Sequence, residues 1–286
     1  MYIALNGEVF KKEEAKISPF DHGFLYGLGV FETFRTYNGH PFLLNDHLDR
    51  LEESLKTLNV EWEADREEIL KVIETLCYRN QLENSYIRLN VSAGIGEIGL
   101  QVEPYLQPNW IVFQKPLPPM SPLAEKNGKI LCTRRNTPET PKRLKSHHYL
   151  NNIMAKREIG DLKQTEGIFL TADDAIAEGI TSNLFWVRDE CLYSPTTETG
   201  ILNGVTRQYI ISLAKALGVE IKIGFFPKED LFRADEVFFT NSIQEITPLK
   251  LLEDHAFPGN KGSFVKRFYE MYDSHTECLL SRKQIE

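Results

Sequence analysis

Apolar residues recur along this chain at a spacing typical of amphipathic helices. Leu48, Leu51, Leu55 and Leu58 follow one another every three or four residues, which predicts a helix that begins at Asn45. The same spacing predicts helices after Asp65 and over 149–159, 205–217 and 264–271. These helices are spread along the whole chain.

Short apolar or alternating segments between these helices predict strands. Asn-Gly pairs at 6–7 and 38–39 interrupt or follow such segments, and this pair favours tight hairpin turns. The remaining predicted strands are 27–35, 86–91, 110–113, 129–133, 167–171, 175–178, 184–187, 192–193 and 236–240. Strands and helices therefore alternate irregularly, which predicts an α+β fold.

Four prolines interrupt the chain near its middle, at positions 116, 118, 119 and 122. Proline continues neither a helix nor a central strand, so 116–125 is the predicted interdomain linker. A chain of 286 residues suits two modest domains. We therefore expect two unequal domains, an N-terminal α/β domain over 1–115 and a C-terminal domain over 126–286.

Composition and charge narrow the class of protein. The formal net charge of −8 argues against a nucleic-acid partner, and the basic stretch 134–145 suits a small anionic ligand better. No cysteine pair or histidine spacing typical of a metal site occurs, so no metal is expected. No apolar run is long enough for a membrane span, and the first residues lack the pattern of a secretory leader. We expect a cytoplasmic protein with reduced cysteines.

Two residues have the chemistry of an imine-forming active site. Lys145 follows a proline-containing loop and precedes the predicted helix 149–159, although a lone lysine is more often simply exposed. Glu178 ends a predicted strand directly before Gly179, where an ordinary edge-strand glutamate is the alternative. Neither residue by itself decides between these interpretations.

Other residues are candidates for binding a phosphate. Val205 and Thr206 open a predicted helix, whose free amides attract anions, although Asn203 could serve there as an ordinary helix cap. Asn241 and Ser242 follow a predicted strand and offer further donors, and Arg50 lies on the helix that begins at Asn45. For Arg50 a surface charge is the alternative.

Taken together and in order, four sequence blocks resemble the fold-type-IV pyridoxal-phosphate enzymes, which form the class IV aminotransferase family. The blocks are EGITSNLF at 178–185, GVTR at 204–207, DEVF at 235–238 with EITP at 245–248, and HLDRL at 47–51. The family contains branched-chain aminotransferases, D-amino acid aminotransferases and aminodeoxychorismate lyases. The resemblance extends from Asn6 to Pro248.

The resemblance implies a role for each candidate. Pyridoxal 5'-phosphate would lie between the two domains, with Lys145 as the imine lysine and Glu178 as the partner of the pyridine nitrogen. The phosphate would be held by Arg50, Val205, Thr206, Asn241 and Ser242. Tyr149 would contact the phenolic oxygen of the cofactor if the alignment contains a gap of one residue. Family members usually act as homodimers in which the partner chain completes the substrate pocket.

Within the family, three segments resemble aminodeoxychorismate lyases of the bacillus type. They are SPFDHGFLYG at 18–27, RLKSHHYLNN at 143–152 and SNLFW at 182–186. This resemblance implies conversion of 4-amino-4-deoxychorismate, an anionic amino-cyclohexadiene dicarboxylate, to 4-aminobenzoate and pyruvate in folate biosynthesis. Thr33, Arg88 and His147 are the candidates for binding its carboxylates, and a structural role is equally compatible with each.

Two alternatives stay open at this level. D-amino acid aminotransferases typically carry an arginine–x–histidine clamp, but the corresponding segment here reads SAGIG at 92–96. The YIR segment at 86–88 resembles a branched-chain block, which keeps an aminotransferase of branched-chain or D-amino acids as an alternative. A catalytically silent cofactor-binding protein is the third possibility. The presence of both Lys145 and Glu178 argues against it.

Overall fold

The computed structural model describes residues 1–117, 121–161 and 164–285. The chain divides into two compact units. Of the described residues, the first unit takes 1–117, 144–148 and 276–284, and the second takes 121–143, 149–161, 164–275 and 285. Both units combine helices with a sheet, which confirms the predicted α+β class.

The first unit is a six-stranded antiparallel sheet with helices packed against it. Its elements are β1 (Tyr2–Leu5), β2 (Glu8–Lys11), α1 (His22–Leu25), β3 (Gly29–Tyr37), β4 (His40–Pro41), α2 (Leu44–Thr57), α3 (Arg66–Asn80), β5 (Ser85–Ser92) and β6 (Asn109–Pro116). The strand order is β2-β1-β6-β5-β3-β4. Both predicted hairpins are present, because Asn6, Gly7, Asn38 and Gly39 all adopt the positive φ that tight turns require.

The core of the first unit follows from the predicted leucine pattern. Leu48, Leu51 and Leu55 are buried on one face of α2, in the same cluster as Phe34 of β3 and Leu89 of β5. α3 begins as predicted after Asp65, whose side chain accepts a hydrogen bond from the Glu68 amide at 2.9 Å. Helix and sheet thus pack through the positions that the sequence marked as apolar.

The second unit contains a nine-stranded mixed sheet. Its elements are β7 (Lys126–Ile130), α4 (Leu150–Ile159), β8 (Thr165–Leu170), β9 (Ile176–Gly179), β10 (Asn183–Arg188), β11 (Cys191–Pro195), α5 (Val205–Ala216), β12 (Ile221–Gly224), β13 (Glu236–Asn241), β14 (Glu245–Leu252), β15 (His255–Ala256) and α6 (Ser263–His275). The order is β12-β11-β10-β13-β14-β7-β8-β9, and β15 pairs with β14.

Three strands differ from the sequence prediction. The strand predicted at 129–133 lies at Lys126–Ile130, and β12 and β14 were not predicted at all. β14 contains Pro248, which pairs with Phe238 of β13 in the interior of the sheet. Proline normally argues against a central strand because it donates no hydrogen bond, so the sequence pointed away from this element.

The segment that carries Lys145 groups with the first unit, although the sequence prediction assigned it to the C-terminal domain. The Phe31 amide donates to the Lys145 carbonyl at 2.9 Å, and the His147 amide donates to the Gly29 carbonyl at 3.0 Å. These bonds add the segment to the edge of β3. Residues 118–120 of the predicted linker lie outside the described residues, and the linker stays a prediction.

Candidate active site

Lys145 is held by its backbone and by an aromatic ring in the first unit. Its carbonyl accepts the Phe31 amide, and its Nζ lies 4.6 Å from the centroid of the Phe31 ring. The Arg88 guanidinium lies 3.5 Å from the centroid of the same ring. A buried aromatic ring therefore attracts two cationic side chains, one of which is the predicted imine lysine.

His147 lies two residues after Lys145 and fits closely against β3. Its Nε2 is 3.0 Å from Asn90 Oδ1, and a Cβ at Gly29 would lie 2.3 Å from the ring. Burial lowers the pKa of His147 to about 4, and the positive charge of Arg88 lowers it further. His147 is therefore neutral at neutral pH and offers a hydrogen bond rather than a positive charge.

The three candidates for substrate binding belong to one region of the first unit. Thr33 of β3 is the register partner of Arg88 in β5. Arg88 donates to Asn90 Oδ1 at 3.2 Å, and the same oxygen contacts His147. The structure therefore places Thr33, Arg88 and His147 beside the strands to which Lys145 is attached.

Arg50 is engaged by a buried carboxylate that the sequence analysis did not single out. Its Nε and Nη2 donate to Glu32 at 2.7 and 2.6 Å, and His47 Nδ1 lies 2.7 Å from the same carboxylate. Burial alone would raise the pKa of Glu32, but Arg50 and His47 outweigh it and hold this pKa at about 2. A glutamate at a core-facing strand position, with the HLDR segment nearby in sequence, was the available clue.

Glu178 lies at the end of β9 in the second unit and is 4% exposed. Its carboxylate accepts hydrogen bonds from Arg135 Nε at 2.8 Å, the Leu202 amide at 3.0 Å and Asn183 Nδ2 at 3.3 Å. Arg135 in turn donates to Asn151 Oδ1 at 2.7 Å. The sequence analysis named Arg135 only as part of a basic stretch, because its partner is 43 residues away.

The predicted phosphate-binding residues of the second unit come together. α5 begins at Val205 behind Gly204, which provides no side-chain cap, so the alternative with Asn203 as cap is not observed. Thr206 Oγ1 lies 3.1 Å from Ser242 Oγ. Asn241 precedes Ser242 at the end of β13, and its Oδ1 accepts the amides of residues 243 and 244.

This region fits an anionic group. The buried Thr240 hydroxyl, next to Asn241 in the chain, has no hydrogen-bond partner among the described residues. A helix N-terminus without a side-chain cap carries free amides and a positive partial charge. An orphaned buried hydroxyl beside such a terminus is the arrangement that a bound phosphate would satisfy.

Other predictions have a limited structural outcome. Tyr149 directly precedes α4, and its contact with a cofactor stays a prediction. Within the described part of the chain, no group of three His, Cys, Asp or Glu residues is arranged to hold a metal ion. Over the same residues, no helix has the length and apolarity required to cross a membrane.

Comparison with known proteins gives a consistent result. The profile of the amino-transferase class IV family matches residues 29–252. Aminodeoxychorismate lyase of Bacillus subtilis (strain 168) is 46% identical over 283 residues, covering 98% of this chain and 97% of that protein. Two relatives in solved structures carry N-(5'-phosphopyridoxyl)-L-glutamate or pyridoxamine 5'-phosphate.

The structural neighbours include both activities named in the family. A branched-chain aminotransferase from Thermoproteus uzoniensis, solved with norvaline, has a TM-score of 0.85 and 30% identity, covering 96% of this chain and 94% of that one. The 4-amino-4-deoxychorismate lyase from Pseudomonas aeruginosa has a TM-score of 0.83 and 27% identity, covering 97% and 99%. The chain therefore belongs to the class IV aminotransferase family and has the fold-type-IV architecture.

Proposed function

We propose that this protein is an aminodeoxychorismate lyase, which converts 4-amino-4-deoxychorismate to 4-aminobenzoate and pyruvate. The observation that carries the proposal is the 46% identity to the Bacillus subtilis lyase through 98% of the chain. The segments 18–27 and 143–152 support it, because both resemble the bacillus-type group. Folate biosynthesis is the corresponding pathway.

The enzyme uses pyridoxal 5'-phosphate, the cofactor of its family. When bound, this cofactor supplies an aldehyde that captures the substrate amine and a ring that takes up electrons. We assign the imine to Lys145 and the contact with the ring nitrogen to Glu178. The phosphate is assigned to Arg50, Val205, Thr206, Asn241 and Ser242, and the phenolic oxygen to Tyr149.

The carboxylate of Glu178 is oriented before any ligand binds. Arg135 and the Leu202 amide occupy defined positions on its oxygens, and Asn183 adds a third donor. A buried carboxylate with fixed partners keeps one orientation and excludes water from the ring nitrogen that it faces. This supports its role as the acidic partner of the cofactor.

Lys145 is the general base in this proposal. It removes the proton from C4 of the substrate, which requires its amine to be neutral at that moment. The Phe31 ring beside it is 3% exposed and keeps water away from one side of the amine. Removal of this proton prepares loss of the enolpyruvyl group from the adjacent carbon, and formation of the aromatic product makes the reaction irreversible.

We assign the substrate carboxylates to Arg88, with Thr33 and His147 as neutral hydrogen-bonding groups. Arg88 brings the positive charge, since the lowered pKa of His147 leaves that ring neutral. All three lie close to the strands that carry Lys145. We also propose that the protein is a cytoplasmic homodimer that acts on a small molecule, without a nucleic-acid or membrane partner.

An aminotransferase of branched-chain or D-amino acids is the second candidate. The structural similarity to the Thermoproteus uzoniensis branched-chain aminotransferase favours the branched-chain group. Such an enzyme would share the cofactor residues and differ in where Lys145 returns its proton.

A product assay separates the two candidates. Purified protein with pyridoxal 5'-phosphate is incubated with 4-amino-4-deoxychorismate, and 4-aminobenzoate and pyruvate are quantified by chromatography. We expect both products in equal amounts, and only slow conversion of branched-chain or D-amino acids with 2-oxoglutarate. Rapid transamination without 4-aminobenzoate would show that the lyase assignment is wrong.

A further inference from the structure

A buried ion pair in the second unit has no role in the chemistry described above. Nζ of Lys126, the first residue of β7, lies 3.4 Å from Oε2 of Glu166 in β8. The two side chains are only 5% and 1% exposed. Buried pairs of this kind often stabilise a fold no better than apolar side chains of similar volume. Their other hydrogen-bond partners are therefore the more informative feature.

Glu166 binds the turn that carries Glu178. Its Oε1 accepts the Ile180 amide at 2.8 Å, and the Thr181 amide also donates to this carboxylate. The Gly179 amide closes the turn by donating to the Ser182 carbonyl at 2.8 Å. Since Glu178 directly precedes this turn, the carboxylate of Glu166 determines where β9 ends and where Glu178 points.

Lys126 binds the loop that carries the proposed phosphate donors. Its Nζ donates to Gln244 Oε1 at 3.1 Å, and this oxygen also accepts Asn241 Nδ2 at 3.3 Å. The Gln244 amide donates back to Asn241 Oδ1 at 2.7 Å. Gln244 therefore connects Lys126 to Asn241 and its neighbour Ser242.

We propose that Lys126 and Glu166 are positioning residues that set the place of Glu178 relative to Asn241 and Ser242. The two charges join the turn after β9 to the loop after β13 through hydrogen bonds at both ends. Charge-assisted hydrogen bonds in a dry interior are short, directional and costly to break, so they hold two loops at a set separation. The proposal rests on the cofactor roles given under the proposed function.

A double variant separates positioning from stability. Lys126→Met/Glu166→Leu removes both charges and keeps the side-chain volume, so the fold should persist with a melting temperature close to that of the wild type. We expect its dissociation constant for pyridoxal 5'-phosphate to rise about tenfold, the effect of losing one buried hydrogen bond. The pH midpoint of the cofactor absorbance should also shift, because Glu178 no longer faces the ring nitrogen in the same place.

Glu236→Gln is the matched control. Glu236 is a buried carboxylate of β13 that accepts the amides of Phe264 and Val265 at the start of α6, away from the two loops. This variant should lower the melting temperature without changing cofactor affinity or the absorbance midpoint. A double variant that binds pyridoxal 5'-phosphate like the wild type, with an unchanged spectrum, would overturn the proposal.

Comparison of two ligands tests the two ends of the connection. Pyridoxal lacks the phosphate, so Gln244→Ala should weaken binding of pyridoxal 5'-phosphate about tenfold and leave pyridoxal binding unchanged, whereas the double variant should weaken both. Equal weakening of both ligands by Gln244→Ala would contradict the assigned route. Wild-type protein that binds the cofactor but forms no 4-aminobenzoate contradicts the lyase assignment alone. Wild-type protein that binds no cofactor overturns this inference as well.

Discussion

At the residue scale, Lys145 differs from the other lysines of its basic stretch by what surrounds it. Its backbone is attached to Phe31 of β3, and its amine lies over the ring of that residue. Lys142, three residues earlier, is exposed. Attachment to a strand and contact with a buried ring limit the positions that the Lys145 amine can adopt, as a covalent role requires.

Lys145→Ala should abolish both cofactor colour and turnover, because no other group of the proposed site provides the imine. The measurements are visible absorbance after incubation with pyridoxal 5'-phosphate, cofactor fixed by borohydride reduction, and formation of 4-aminobenzoate. Lys142→Ala is the control and should retain all three. Colour or turnover that persists in Lys145→Ala would mean that another residue forms the imine.

At the element scale, the Glu32 cluster joins β3 to α2. Glu32 belongs to the strand, whereas His47 and Arg50 belong to the helix, and all three meet in a buried position. The folded-state pKa of Glu32 is about 2, below its usual value of 4.5. A depressed carboxyl pKa stabilises the fold above the unfolded value, and this contribution is lost as the pH falls from 4.5 towards 2.

Glu32→Gln should therefore cost more stability at neutral pH than in acid. The difference in free energy of unfolding between wild type and variant should shrink by about 1 kcal/mol between pH 7 and pH 3.5, since protonation then favours the unfolded wild-type chain. Urea unfolding at the two pH values measures it. Glu67→Gln, at an exposed position of α3, should show no such change. Parallel pH dependence of wild type and Glu32→Gln would refute the assigned pKa.

At the scale of the whole molecule, the cofactor is expected to act as a stabilising ligand. Ligand at 100 times its dissociation constant stabilises the native state by about 2.7 kcal/mol, which raises the melting temperature of a chain of this size by about 5 °C. Thermal unfolding of the apoprotein at increasing pyridoxal 5'-phosphate should show a rise that depends on concentration. Lys145→Ala should show a smaller rise, and a melting temperature independent of cofactor would contradict the assigned binding.

Much of the fold was predictable because its causes are local. Asn6-Gly7 predicted a hairpin since both residues tolerate positive φ, and Leu48, Leu51 and Leu55 predicted the buried face of α2. β14 escaped prediction because Pro248 is unfavourable in an isolated strand, and its place in the sheet follows from pairing with β13 and β7. Strand pairing depends on distant residues that no local pattern contains.

The sequence by itself determined the family, through ordered blocks around Arg50, Glu178, Thr206 and Asn241, because each block is a short contiguous segment with its own local conformation. Only the tertiary structure decided the partners of these residues. Arg135 meets Glu178 across 43 residues, and Lys126 meets Gln244 across 118. Such contacts arise when separate strands enter one sheet in a given register, and that register is set by the packing of the whole unit.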